Sequence, residues 1–585
     1  MPQTLPNSPS VALKKMANPV LSRQRGGLLC AFLAALCLLA TYPVLEMGTN
    51  DDWSYIRTAF DLARTGHLIY NGGATAMLGW QVYWGALFIK FFGFSFLAVR
   101  LSTVPLAAAS AYVLYQILTW FGVNTRNAVL GTLTMVLSPL FIPMATTFMS
   151  DIPGYLMILV SIYSCLRAVD AKKSQTAIAW LAIATAVSVI GGTGRQIVWL
   201  GALVMVPSTA WLLRRKQGVI AATALLWAGT LVAILVTLHW FSQQPYALAE
   251  KFVDERFHWH LLVDLAQQVR DSLLTVLLVV FPVLTAYLSA FRTVPKKIAI
   301  GVFIFAILLI TLRFHGSHEL LLAPWLPNMI TEYGVLGNGA LENLGTKPVV
   351  LGFTTRLVIT LALFIAASVT AASIFSRSGD APAKKLVPSW SVLAVLLGPF
   401  TLAYVVLLMP RAVFFVTNDR YLIPVIALLL IPLVRFYQER VREQVPGFSF
   451  VVLGLFTAYG VASTHDYFAT NRARLRAAEN IRNSGVPRTA IQGGWEYDSW
   501  TQLQVAGCVN DWRIEHPPNA YHEIPPSKLE KPCRFWWSRY TPTVTPRFFV
   551  VFSEMKCLAP SSFAPVSYRT WLPPFDREIY IQQLP

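Results

Sequence analysis

Residues 28–66 read LLCAFLAALCLLATYPVLEMGTNDDWSYIRTAFDLARTG. As a helix, the part from 28 to 47 is long enough to cross a hydrocarbon core ~30 Å thick. The acidic pair Asp51-Asp52 stands just where this apolar run ends. WSYIRTAFDLARTG then places apolar residues at helical spacing among polar ones, the pattern of a short helix with one buried face. The stretch therefore reads as a membrane span, a polar mouth carrying two carboxylates, and an amphipathic helix beside that mouth.

The rest of the chain repeats the first signal. Of 585 residues, 55% are hydrophobic and only 13% charged, and the mean hydropathy is +0.53. This composition excludes an ordinary soluble protein. Spans are predicted at 28–47, 94–121, 127–146, 152–169, 175–192, 196–213, 219–241, 272–291, 297–312, 349–375, 388–409, 420–436 and 447–464. The expected fold is a polytopic α-helical membrane protein of about 13 transmembrane helices, with a C-terminal α/β-type domain outside the membrane. The first span has a basic flank like a secretory signal. Its apolar run is longer than such a signal needs, and no small-x-small site closes it, so it is expected to stay.

Orientation follows from the loops. With a cytoplasmic N-terminus, Arg126, Arg167–Lys173, Arg214–Lys216, Arg292–Lys297, Arg377–Lys385 and Arg435–Arg442 all fall inside. The formal charge of +18 is then mainly a topology signal, and nucleic acid is not expected as a partner. An odd number of spans puts Asp51-Asp52 and the C-terminal tail on the outer side. Cys30, Cys37 and Cys165 lie in spans as small apolar side chains. Cys508, Cys533 and Cys557 lie in the tail, where one disulfide is expected and its pairing cannot be read.

Three regions follow: a basic tail at 1–27, a membrane domain at 28–465 and an outer domain at 466–585. Two long outer segments interrupt the membrane domain. Residues 242–271 mix charged and apolar residues at helical spacing and suit the membrane interface; residues 313–348 read as a folded loop. The outer domain opens with a helical pattern, NRARLRAAENIRNSG, and later carries strand-like runs such as RFFVVF. Its Trp495, Trp500, Trp536 and Trp537 suit either a glycan-stacking face or a small domain core.

Four segments could carry chemistry. Asn50 or Asp51 could simply cap the helix that follows, yet TNDD offers more polar side chains than a cap needs. Asp151, in TTFMSDIPGYLMILVSIY, precedes Pro153 at a helix start, again a capping position, and the topology puts it on the same side as Asp51. Carboxylates so paired can deprotonate and position a hydroxyl, or share a divalent metal. Arg195 lies in GGTGRQIVW and Arg420 in NDRYLIP, both at outer ends of spans. A guanidinium near hydrocarbon needs a partner, and its planar fork suits phosphate oxygens; an Arg–Asp pair or snorkelling is the plainer account. GGTG lacks the strand context of a nucleotide-binding loop. His258, His260, His315 and His318 beside Glu319 form no metal-ligating motif, so whether a metal is used stays open.

Taken together, the DD after the first span, the amphipathic helix, the second-loop acid, TGRQ and DRYLIP resemble the GT-C membrane glycosyltransferases. The likeness is greatest to the bacterial branch of aminoarabinose, protein mannosyl and galacturonosyl transferases, and covers 28–465. The resemblance implies a polyprenyl-phosphate sugar donor and a lipid, glycan or protein acceptor at the periplasmic face of a bacterial inner membrane. It further implies Asp51 as general base, with Asp52 and Asp151 orienting the acceptor or tuning that base. Arg420 and Arg195 would hold the donor phosphate, and the anomeric carbon would invert. A transporter or flippase and a polymer ligase with a diphosphate-linked donor are the alternatives. Against transport, the polar groups sit at the ends of spans, and no inverted repeat is visible.

Overall fold

The computed structural model describes residues 19–73, 77, 79–248, 260–311, 321–326, 328–336, 344–376, 386–414, 417–524, 533 and 535–585. Among them, eight helices are long and apolar enough to cross a membrane, or nine if one bent pair is a single span. Two shorter apolar helices, Gln24–Ala40 and Gln196–Leu212, add to these. The protein is a polytopic helical membrane protein with a C-terminal sheet-containing region.

Several expected spans take a form that local chemistry explains. The stretch expected at 127–146 is a buried, broken helix, Thr125–Val136 followed by Phe141–Ala145. The residue before a proline is disfavoured in α geometry, and the break falls at Ser138-Pro139, where the Ser138 hydroxyl accepts the Phe141 N–H at 3.1 Å. The span expected at 272–291 starts earlier, as Leu261–Val279, and bends by 64° into Phe281–Ala290. Pro282 supplies no N–H for the preceding turn, which accounts for a bend there. The glycine-rich segment GGTG, expected as a turn, is the last turn of helix Ser174–Gly194.

Among the described residues, the basic loops at Arg126, Arg167–Lys173, Arg214–Lys216 and Arg435–Arg442 gather at one end of the bundle, while 377–385 lies outside those residues. Gln438 donates to the Gly122 carbonyl at 2.9 Å and Trp120 to the Asp170 carboxylate at 2.7 Å. Lys216 binds the Ala171 carbonyl, and Arg126 lies 5.7 Å over Phe450. Asp151 and Asp419 open the helices that end at Asp170 and Arg440. They therefore mark the opposite end.

The last membrane helix, Gly447–Asn483, runs 37 residues without a break, or about 55 Å at 1.5 Å per residue. That exceeds the hydrocarbon core, so the helix crosses residue 465 and continues as the support of the C-terminal sheet region, the expected outer domain. The domain's sheet is built from β3 (Ile491–Gln492), β4 (Phe548–Val551), β5 (Ala559–Pro560), β6 (Val566–Arg569) and β7 (Asp576–Gln583); β1 (Ile330–Thr331) and β2 (Gly334–Val335) pair separately. The order is β3-β4-β7-β5 with β6 also on β7; β3 and β4 are parallel and the rest antiparallel. Helix Trp495–Ala506 connects β3 towards β4 and packs Tyr497 and Leu503 into the domain core with Phe549, Val551 and Ile579. Cys533 and Cys557 form the disulfide, leaving Cys508 as the odd cysteine of the tail. Asp466 on the long helix accepts the N–H groups of Trp571 and Leu572 at 2.6 and 2.9 Å, fastening the far edge of the sheet to it.

Candidate active site

The segment from Pro43 to Asp52 is held by buried charge. Arg100 is fully buried and donates to the carbonyls of Pro43, Leu45 and Met47 at 3.3, 2.9 and 2.8 Å. Glu46 accepts the Ser95 hydroxyl at 2.7 Å and the Phe96 N–H at 3.0 Å, capping the helix that carries Arg100. Asp52 is also fully buried. Its carboxylate accepts the N–H and hydroxyl of Thr49, both at 2.6 Å, and the Phe148 N–H at 3.4 Å, with Arg100 3.8 Å away. Burial pushes this carboxyl above the usual carboxylate range, while Arg100 and the Thr49 and Phe148 donors pull it back. Asp52, expected to orient an acceptor, therefore faces the protein and braces the loop. Both its oxygens are engaged and the residue is shut from solvent.

Asp51, one residue earlier, is only partly buried. It precedes helix Asp52–Thr65 but makes no side-chain cap; instead its Oδ1 accepts the indole N–H of Trp495 at 3.1 Å. The plain capping account of Asp51 is thus not what its side chain does. Tyr55, one turn into the helix, is buried. Burial raises its phenol, and the charges it feels are Arg420, Asp51, Asp151 and Arg195. One side chain thus lies within electrostatic reach of Asp51, Asp151, Arg195 and Arg420.

Asp151 pairs with Arg195 at 2.7 Å, the side chains 2% and 16% exposed. The approach depends on Gly154, since a Cβ there would meet Arg195 Cδ and Cβ at 2.9 and 3.0 Å. The expected pairing of an outer arginine with an aspartate is therefore realised by Arg195, through Asp151. Arg420 differs. Its neighbour Asp419 is fully buried and spent on the backbone N–H groups of Met329 and Ile330, at 2.9 to 3.1 Å, anchoring the outer loop. Arg420 Nε and Nη1 are shut from solvent and have no hydrogen-bond partner among the described residues. Its charge field reaches Tyr421, Asp151, Asp51 and Tyr55.

Three guanidinium groups ring Tyr421: Arg411 at 4.6 Å, Arg195 at 5.4 Å and Arg420 at 5.5 Å from its centroid. Tyr404 donates to the Tyr421 carbonyl at 2.7 Å and fixes the turn. Arg411 is a site residue the sequence reading passed over; a lone cation at the end of the apolar run LLMPRAVFF was the available signal. Trp495 was named only as a tail aromatic, and nothing local links it to Asp51. Of the other tail tryptophans named from the sequence, Trp500 and Trp537 are 8% and 1% exposed and belong to the core, whereas Trp536 is 43% exposed.

Among the described residues, no three His, Cys, Asp or Glu side chains converge as a metal site. His258, His315, His318 and Glu319 lie outside the described residues, as does the side chain of His260. Divalent cations of the Mg or Ca type take six or more oxygens. Asp51 and Asp151 are a poor match, because one is already paired with Arg195 and the other bound by Trp495.

No protein-family profile matches the sequence, and no curated protein does. Among solved structures, the chain is similar to ArnT from Cupriavidus metallidurans in the apo state, at 11% identity and a TM-score of 0.38, over 95% of this chain and 98% of that one. It is also similar to ArnT from the same organism bound to undecaprenyl phosphate, at 14% identity and a TM-score of 0.39, over 78% and 72% of the two chains. A third similarity is to the S. cerevisiae protein O-mannosyltransferase Pmt1-Pmt2 complex bound to the sugar donor. It has 14% identity and a TM-score of 0.31, and spans 38% of this chain and only 33% of that one.

Proposed function

We propose that this chain is an integral-membrane glycosyltransferase of the GT-C kind. It moves a sugar from a polyprenyl-phosphate donor to a hydroxyl of a lipid, glycan or protein acceptor at the periplasmic face of a bacterial inner membrane. The observation that carries this reading is Arg420, whose Nε and Nη1 are buried without a partner among the described residues and lie within electrostatic reach of Asp51 and Asp151. Buried donors left unmet are costly. A phosphate oxygen meets them, and the neighbouring Arg195 and Arg411 add to the attraction for an anion. A carboxylate so close to an anion-binding cluster suits group transfer from a phosphate ester.

In the proposed reaction Asp51 takes the proton of the acceptor hydroxyl as its oxygen bonds to the anomeric carbon. The bond from that carbon to the phosphate oxygen breaks, and its electron pair leaves with the polyprenyl phosphate. Arg420 and Arg195 stabilise the charge gained by the departing group. Asp151 aims Arg195. Attack opposite the leaving group inverts the anomeric carbon. No step is assigned to a metal. The gathering of basic loops at the far end of the bundle supports a cytoplasmic N-terminus and a periplasmic outer domain.

The test is transfer from a labelled polyprenyl-phosphate sugar in membranes, wild type against Asp51→Asn at matched expression. Loss of transfer with the folded protein retained supports the reading. Transfer that persists removes Asp51 as base. Transfer only from a diphosphate-linked donor turns the reading to the polymer ligase, and none from any donor, to a transporter.

A further inference from the structure

Among the described residues, the hydrogen bond to the Asp51 side chain comes from the outer domain. It is donated by the Trp495 indole N–H at 3.1 Å, 444 residues away in sequence. The indole is itself fixed on several sides. Trp53 meets it edge-on at 5.3 Å, Trp536 lies at 5.1 Å and Tyr540 at 6.0 Å between centroids.

The backbone under Trp495 is equally constrained. Gly494 has φ +99°, and a Cβ there would collide with the Arg474 guanidinium, so glycine is required on both counts. Arg474, on the long helix leaving the membrane, is 1% exposed. It donates to the Gly493 carbonyl and Asn471 Oδ1, both at 2.6 Å, and to Glu496 at 3.2 Å. From the other side Asp498 accepts the Gly493 N–H at 2.9 Å and the Trp537 indole N–H at 2.8 Å. A continuous set of contacts thus runs from the long helix through Arg474, Gly493 and Glu496 to Trp495 and Asp51. A donor held this firmly keeps its partner in one rotamer, which is what a base aimed at a hydroxyl requires.

We propose that Trp495 is a positioning residue for Asp51, so that the outer domain completes the site. The proposal rests on the reading of Asp51 as the base. An N–H bonded to a carboxylate favours its charged form. The charged and titratable groups facing Asp51 besides Trp495 are Arg420 and Tyr55, with Asp151 and Arg195 beyond. None of these supplies the Trp495 contact.

Trp495→Phe keeps the ring among Trp53, Trp536 and Tyr540 and deletes the N–H. The expected result is a fall in kcat of about tenfold with donor KM unchanged. The acid limb of the pH–rate profile should move to higher pH, as loss of a hydrogen bond to the charged form implies. Trp536→Phe, which perturbs the same cluster without touching Asp51, should leave the acid limb where it was. A Trp495→Phe enzyme with wild-type kcat and acid limb overturns the proposal, as does a kcat loss with no shift of the limb, which means a packing role alone. Should Trp495→Phe not fold, 5-fluorotryptophan at 495 in the otherwise native chain gives the answer. Its ¹⁹F signal should titrate with the acid limb, and a signal flat across that limb refutes the link. Failure of the underlying reading shows separately, as transfer by Asp51→Asn.

Discussion

Two adjacent aspartates with different surroundings make the most direct test of the site, and Asp52→Asn is the informative change. Asp52 has its Oδ1 on the Thr49 N–H and its Oδ2 on the Thr49 hydroxyl and Phe148 N–H. An asparagine can keep its oxygen on the Thr49 N–H, while its NH2 meets the hydroxyl, which can turn to accept, and the Phe148 N–H, which cannot. What is lost is one charge-assisted contact and the attraction to Arg100 at 3.8 Å; what is regained is the cost of burying a carboxylate. The balance is a destabilisation of about 1–3 kcal/mol. Unfolding by denaturant titration in detergent should show it as a lower midpoint. Transfer per folded protein should stay within about threefold of wild type, against a loss of about 100- to 10,000-fold when a general base is removed, as expected for Asp51→Asn. A large loss of kcat in Asp52→Asn at unchanged stability would refute the assignment of Asp52 as a brace. It would mean that the buried carboxylate reaches the reacting atoms.

Arg420→Met should raise the donor KM at least tenfold, the size of one charge-assisted hydrogen bond, and weaken inhibition by free polyprenyl phosphate in parallel; steady-state kinetics with varied donor reads both. Asp498 offers a pH test within the outer domain, since burial pushes its carboxyl up to about 7, against the pull of Trp537, Gly493, Arg474 and Arg488. The folded form then holds its proton more tightly than the unfolded chain. Stability from this group is complete below about pH 4 and is lost as pH rises through about 7. Hydrogen exchange of the 491–506 segment at pH 6 and 8 should show faster opening at pH 8, a difference that Asp498→Asn removes.

The membrane character was legible because it rests on properties read one residue at a time. Hydrophobic length gave the long spans, and a charge next to an apolar run marked Asp51, Asp151, Arg195 and Arg420 as the candidates of the proposed site. What the sequence hid depends on partners far away along the chain. Asp51 and Asp52 are indistinguishable in TNDD, and only the burial of Arg100, in the helix that follows the first outer loop, decides which of them faces inward. Trp495 looked like any other aromatic of the tail because its partner lies 444 residues away. The broken helix at 125–145 had span-like composition, but a Ser-Pro pair turned it into a buried element that sets the Phe148 N–H against Asp52.

The distribution of charge at the site explains why a phosphate ester, not a neutral sugar, is the reading that fits. Asp52 is matched by Arg100, Asp151 by Arg195, and Asp419 by backbone N–H groups. Arg420 has buried donors without a partner among the described residues, and its field falls on Asp51 as well as on Asp151 and Asp419. In the proposed transfer a phosphodiester with one negative charge becomes a monoester able to carry two, while Asp51 gives up its charge by taking the acceptor's proton. Negative charge therefore moves from the Asp51 side towards the phosphate side during the reaction. An Arg420 that attracts both groups favours the change only if it lies nearer the phosphate than the carboxylate when donor is bound. Trp495 has the complementary task of holding the carboxylate on its own side. The outer domain keeps the two charges apart in this scheme, and the continuous helix from Gly447 to Asn483 gives that separation a rigid support.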